Sequence, residues 1–238
     1  MSEAVDIFLR TSFGNIHALK SPSTSSQLPL VFIPGMLGRA EDWLNDFESF
    51  APRSCVAISL RGRGESDYPQ AGFSVFDHVE DIEKVINHLG FERFILVGFS
   101  QGALYATAYA LKHPEKIAGL VIQDKVLKQR KFGKEWVERA KNHPASAGKE
   151  DFLWGIANDS QELNLLEKCD VLRKTPTLII KGENSAMVLD EDLMEMESVF
   201  QNCTIEIFPD SGHDISSPDY DLYVRTMSNF FKSHRELA

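Results

Sequence analysis

The chain has 238 residues, 43% of them hydrophobic, enough for one ordinary globular domain with a full core. Its formal net charge of -10 argues against nucleic acid and anionic membrane as main partners. No apolar run approaches a membrane span, and Met1-Ser2-Glu3 opens no apolar leader, so the expectation is a cytoplasmic protein with no membrane partner.

In chain order, residues 7–11 and 16–19 read as a hairpin turning at Phe13-Gly14-Asn15. Residues 28–33 form a buried strand ending at Pro34-Gly35, and 56–60 another that leads into a glycine-rich loop. Val79, Ile82, Val85, Ile86 and Leu89 make one helical stripe over 77–89. The short apolar run 94–97 predicts a buried strand, and Leu104, Ala108 and Leu111 a helix over 103–112. Residues 117–122, 177–180 and 204–208 read as strands, Asp190 and Asp192 as the start of a helix, and 220–231 as a closing amphipathic helix. Strands alternating with helices imply an α/β domain, a mostly parallel sheet covered on both faces.

The stretch between the strands at 117–122 and 177–180 is longer than a crossover needs. It begins with Lys125, Lys128, Arg130, Lys131 and Lys134 and then carries Trp136, Phe152, Leu153, Trp154 and Leu163. It reads as a small helical cap, 125–174, between core segments 1–124 and 175–238. Any single aromatic there could simply anchor a crossover helix; as a group, Trp136, Phe152 and Trp154 are expected to line a pocket.

Between the strand at 94–97 and the helix at 103–112 stands Gly98-Phe99-Ser100-Gln101-Gly102. Strand, G-x-S-x-G, helix is the context in which a serine nucleophile is lifted onto a sharp turn, with the glycines letting strand and helix close around it. The plainer reading is a glycine-flanked turn whose serine caps the helix. The cysteines, Cys55, Cys169 and Cys203, are odd in number and far apart, with no second cysteine or histidine at ligand spacing. They read as reduced thiols, not metal ligands.

Four motifs in order make the chain resemble the α/β-hydrolase superfamily from end to end. Phe32-Ile33-Pro34-Gly35-Met36 is similar to the strand and loop that supply the first oxyanion amide, with proline where many members have histidine. Ser59-Leu60-Arg61-Gly62-Arg63-Gly64-Glu65-Ser66 resembles the D-x-R-G-x-G-x-S loop, with serine in the aspartate position. Gly98–Gly102 looks like the nucleophile elbow, and Pro209-Asp210-Ser211-Gly212-His213 like the late loop bearing the catalytic histidine. The resemblance implies an α/β-hydrolase fold: a mostly parallel eight-stranded sheet, helices on both faces and a small helical cap.

It also implies roles. Ser100 is the expected nucleophile, which needs a base within hydrogen-bond reach; His213 is that base. The backbone N–H groups of Met36 and Gln101 are the expected oxyanion hole. His17, His78, His88, His113, His143 and His234 have duller explanations in structure or solvent. The loop Lys181-Gly182-Glu183-Asn184-Ser185 puts Ser185 at the commonest acid position, and a serine cannot hold an imidazolium as a carboxylate does. Asp124, after the strand at 117–122, is the expected acid, with Ser185 as an auxiliary sharing the histidine contact; Glu183 is the alternative acid.

A serine nucleophile disfavours haloalkane and epoxide chemistry, where the superfamily uses aspartate. The expectation is a carboxylesterase-like serine hydrolase cleaving esters of small to medium apolar acyl groups, with a small-molecule ester as partner and no metal or cofactor. Thioester hydrolysis, carbon–carbon bond hydrolysis and a non-catalytic ligand-binding role stay open, as does the oligomeric state.

Overall fold

The computed structural model describes residues 4–237. The strands are β1 (Val5–Arg10), β2 (Asn15–Lys20), β3 (Leu30–Ile33), β4 (Cys55–Ser59), β5 (Phe94–Phe99), β6 (Ile117–Gln123), β7 (Lys128–Gln129), β8 (Leu163–Asn164), β9 (Thr177–Gly182) and β10 (Cys203–Phe208). The helices are α1 (Leu44–Ser49), α2 (Val75–Leu89), α3 (Gln101–Lys112), α4 (Lys134–Ala140), α5 (Glu150–Asp159), α6 (Asp190–Val199) and α7 (Tyr220–Ser233).

Eight strands form one sheet in the order β1-β2-β4-β3-β5-β6-β9-β10. β1, β2 and β4 pair antiparallel, and every pairing from β4 to β10 is parallel. The inner parallel strands β3, β5 and β6 are buried and almost wholly apolar because both faces are covered, whereas the edge strand β10 exposes Thr204 and Glu206. One face packs against Val79, Ile82 and Ile86 of α2, the alanine-rich side of α3 and Leu193 and Met196 of α6. The other packs against Phe47 of α1 and Tyr223, Met227, Phe230 and Phe231 of α7.

Two boundaries differ from the periodicity reading for local reasons. α2 begins at Val75, two residues early, because Ser74 and Asp77 form a reciprocal capping box that fixes its first turn. β9 runs on to Gly182 because β10 pairs with it as far as Phe208 opposite Gly182. α1 and the 3-10 turn Ala40–Trp43 before it have no counterpart in the sequence reading. Trp43, Phe47 and Phe50, spaced four and three apart, are the signal that marks them.

Parallel strands share their carboxyl edges, so the loops after β3, β5, β6, β9 and β10 open on one rim. Between β6 and β9 lies an insertion of α4 and α5, closed at its base by the small antiparallel pair β7–β8. Among the described residues, no helix is long and apolar enough to cross a membrane.

Candidate active site

Ser100 is held between β5 and α3 at φ 51°, ψ -129°, a region that a side chain adopts at a cost of roughly 1–3 kcal/mol. The flanking glycines make that turn possible. A Cβ on Gly98 would lie 2.4 Å from Ala103 Cα, and one on Gly102 2.2 Å from the carbonyl oxygen of Ile33. The start of α3 therefore sits directly on the ends of β3 and β5, and the serine projects from the rim.

The Ser100 hydroxyl lies 2.8 Å from His213 Nε2. His213 Nδ1 lies 2.7 Å from Asp124 Oδ2. A carboxylate only accepts, so Nδ1 carries the proton and Nε2 is left as an acceptor for the serine. The imidazole packs against the Phe99 ring, centroids 5.0 Å apart. Asp124 is fully buried and, like Ser100, takes a positive φ, here 47°. Its Oδ1 accepts from the Gly182 N–H at 3.2 Å, and Oδ2 also accepts from the Ser185 hydroxyl at 2.5 Å. Ser185 thus bonds the carboxylate and not the histidine, a correction to the expected shared contact: its hydroxyl is turned toward Asp124 and receives the Met187 N–H. Glu183 is exposed and makes no hydrogen bond to His213.

Among the described residues, the N–H groups of Met36 and Gln101 donate to no oxygen of the chain. Both residues flank Ser100, Met36 on the loop after β3 and Gln101 at the first position of α3, where a helix leaves its N–H groups free. Two unspent donors beside a hydroxyl–imidazole–carboxylate relay can receive the charge that forms on a carbonyl oxygen under attack.

Ser100 and His213 open on a cleft of about 990 Å³. Its walls include Leu37, Trp43, Phe99, Ile215 and Tyr223, and on the insertion side His143, Pro144, Ala145 and Lys149. Trp136, Phe152 and Trp154 do not line it. They pack in one cluster with Val137, Leu153 and Ile156 of the insertion and with Phe73, Met36 and Leu37 beneath it, so the expectation that these aromatics form the pocket is corrected. Two short helices standing off the sheet must bury their large side chains between themselves and the rim.

Asp46 of α1 also lines the cleft and was not singled out in the sequence. It is buried, and its Oδ1 accepts no hydrogen bond among the described residues. Burial raises its pKa to about 7, against a smaller opposing pull from the Tyr223 hydroxyl. The protonated form is the one the fold favours, so its stability contribution is complete below the ordinary value of 3.8 and is lost as pH rises through about 7. Asp46→Asn is therefore expected to raise Tm at about pH 8 and to change it little near pH 4. A Tm difference that stays constant across that range would remove the buried carboxyl from the account.

Comparison with known proteins gives the family and the fold. The family model described as the alpha/beta hydrolase fold matches residues 29–153. The sn-1-specific diacylglycerol lipase ABHD11 of Danio rerio is 21% identical, over 86% of this chain and 78% of that protein. The 2-(acetamidomethylene)succinate hydrolase of Mesorhizobium japonicum is 23% identical, over 74% of this chain and 77% of that protein. The crystal structure of MGS-M2, an alpha/beta hydrolase enzyme from a Medee basin deep-sea metagenome library, superposes with a TM-score of 0.79 at 18% identity, covering 92% of this chain and 94% of that one. At that identity the likeness speaks for the fold.

Proposed function

This chain belongs to the α/β-hydrolase fold family, and on that footing we propose that it is a serine hydrolase of uncharged carboxylic esters, acting through an acyl-enzyme on Ser100. The observation that carries the reading is the unbroken pair of hydrogen bonds, 2.8 and 2.7 Å, from Ser100 through His213 to Asp124. Ser100 Oγ adds to the ester carbonyl carbon while its proton passes to His213 Nε2. The carbonyl oxygen becomes an oxyanion facing the N–H groups of Met36 and Gln101. Asp124 balances the imidazolium. The carbonyl re-forms, the C–O bond to the alcohol breaks, and the alcohol leaves with the proton from His213. Water then adds to the acyl-enzyme with His213 as base again, and the acid departs as Ser100 recovers its proton.

Charge on the cleft supports an uncharged substrate. Asp42 and Asp214 face it together with Arg39 and Lys149, and Arg39 already stands 3.7–3.8 Å from Asp42 and Glu41, so the wall carries no excess of positive charge. A substrate carboxylate would find no excess of positive charge there to offset its desolvation. Leu37, Phe99 and Ile215 suit an apolar acyl group of small to medium size. A cytoplasmic setting fits three free cysteines, two of them buried.

p-Nitrophenyl esters of increasing acyl length test the proposal, with hexanoate set against its carboxylate-bearing counterpart, the adipate monoester. The expected result is turnover of the neutral series and a kcat/KM at least about tenfold lower for the monoester, whose carboxylate loses water without gaining a partner. No turnover of any ester, together with no labelling of Ser100 by a fluorophosphonate, would overturn it in favour of a ligand-binding protein.

A further inference from the structure

Arg63, on the loop after β4, is 2% exposed. Its Nε donates to the Met36 carbonyl at 2.9 Å, and its Nη1 to the Arg61 carbonyl at 2.8 Å and to His78 Nε2 at 2.6 Å. Among the described residues no carboxylate pairs with it. Asp81 is taken by Arg61, whose Nε and Nη2 bond its two oxygens at 2.9 and 2.7 Å. His78 gives its Nδ1 proton to the Ser74 carbonyl at 2.6 Å, which leaves Nε2 to accept from Arg63. Burial, with the Arg63 charge second, holds His78 well below its ordinary pKa, so it does not compete as a cation.

The contacts converge on the first oxyanion residue. Met36 is gripped at its carbonyl by Arg63 Nε and at its sulfur by Arg63 Nη2 and the Tyr105 hydroxyl, each 3.7 Å away. Tyr105 lies flat against His78, centroids 4.3 Å apart and planes 2° from parallel. On its other side the guanidinium lies over the Phe152 ring of the insertion, 4.8 Å from the centroid. An unpaired buried cation is costly to fold, and here two of its four polar contacts go to one residue, Met36, which lines the cleft.

We propose that Arg63 is the positioning residue of the oxyanion hole: it locks Met36 from behind so that its N–H is aimed before substrate arrives, with its unneutralised positive charge held behind that loop. The charge-assisted bond from Nε is of the stronger kind, and a fixed donor in a dry site acts without reorganisation at the moment of reaction. Phe152, expected in the pocket, gains a place in this account as the lid over the guanidinium. The inference rests on the reading of Ser100 as the acyl-accepting nucleophile.

The test compares Arg63→Met, which loses bond and charge, with Arg63→Gln, which keeps a donor without the charge. Each is measured for kcat, KM and affinity for phenylboronic acid, whose tetrahedral serine adduct places an oxygen in the hole. Direct loss of one oxyanion donor costs about 10²–10³ in kcat; loss of its support is expected to lower kcat about 30-fold in Arg63→Met. KM should stay within about twofold, boronate affinity should fall by the same factor as kcat, and Arg63→Gln should lie between. A merely structural role would not move kcat and boronate affinity in step at constant KM. If Arg63→Met does not fold, Arg63→Gln, which removes a buried charge, decides. Near wild-type kcat and boronate affinity in a folded variant overturn the proposal and leave the ester reading standing. Arg63-dependent boronate binding by a protein that cleaves no ester keeps this proposal and removes the ester reading; failure of wild type both to bind boronate and to cleave any ester overturns both, and where it cleaves esters without binding boronate the kcat and KM of the two variants decide.

Discussion

Ser100→Ala is expected to lower kcat/KM for p-nitrophenyl esters by about five to six orders of magnitude, the scale seen when a triad nucleophile is removed. The reason is local. The side chain contributes one oxygen, 2.8 Å from His213 Nε2, and no other hydroxyl contacts that nitrogen among the described residues. What remains in the mutant is an imidazole with no nucleophile and two N–H donors that still face a bound carbonyl, so a small residual rate over water persists. The fold should be untouched, because alanine meets the same positive φ as serine does at 51° and the glycine-made turn around it is unchanged. Side-by-side ester kinetics and fluorophosphonate labelling check the result. Turnover that survives the substitution would place the nucleophile elsewhere, whereas a protein that binds ligand without turning it over would keep its affinity in Ser100→Ala.

Asp124→Asn is expected to cost roughly 10⁴ in kcat and Ser185→Ala about tenfold or less, the loss of one hydrogen bond to a charged group. Asp124 is fully buried and receives three donors: the Gly182 N–H, the Ser185 hydroxyl and His213 Nδ1. An asparagine can accept through one atom only, and its NH₂ turned toward His213 would force the proton onto Nε2, the wrong tautomer for taking a proton from Ser100. Removing the Ser185 hydroxyl deletes one of three donors and leaves the imidazole's own partner in place. Measuring kcat for both variants separates the roles. A near-dead Ser185→Ala beside a nearly wild-type Asp124→Asn would show that the acid had been misassigned.

The sequence made some of this geometry readable because it depends on neighbours in the chain. Gly98 and Gly102 around Ser100 are a steric signature that needs no tertiary knowledge, and the clash distances of 2.4 and 2.2 Å give its cause. The apolar runs of β3, β5, β6 and β9 are recognisable as parallel strands because both faces are buried. Once strands are parallel their following loops share one rim, so Ser100, Asp124, Ser185 and His213 could be placed on one edge from their order alone. α1 was also within reach: Trp43, Phe47 and Phe50 carry a helical spacing that is brief and straddles a 3-10 turn.

By itself, then, the sequence determined the α/β layering, the strained turn at Ser100 and the edge on which the polar residues gather, since each follows from local sterics or a repeating apolar pattern. Only the tertiary structure decided that Ser185 turns to Asp124 and that Asp124 meets a histidine 89 positions away. Likewise it decided that Trp136, Phe152 and Trp154 pack with Phe73, Met36 and Leu37 while Asp46 reaches the cleft, and that Arg63 grips Met36. Those outcomes turn on which of several apolar or polar neighbours wins a given space. That competition is settled by packing density and by the cost of leaving a buried polar group unpaired, and neither quantity is written in any single stretch of chain.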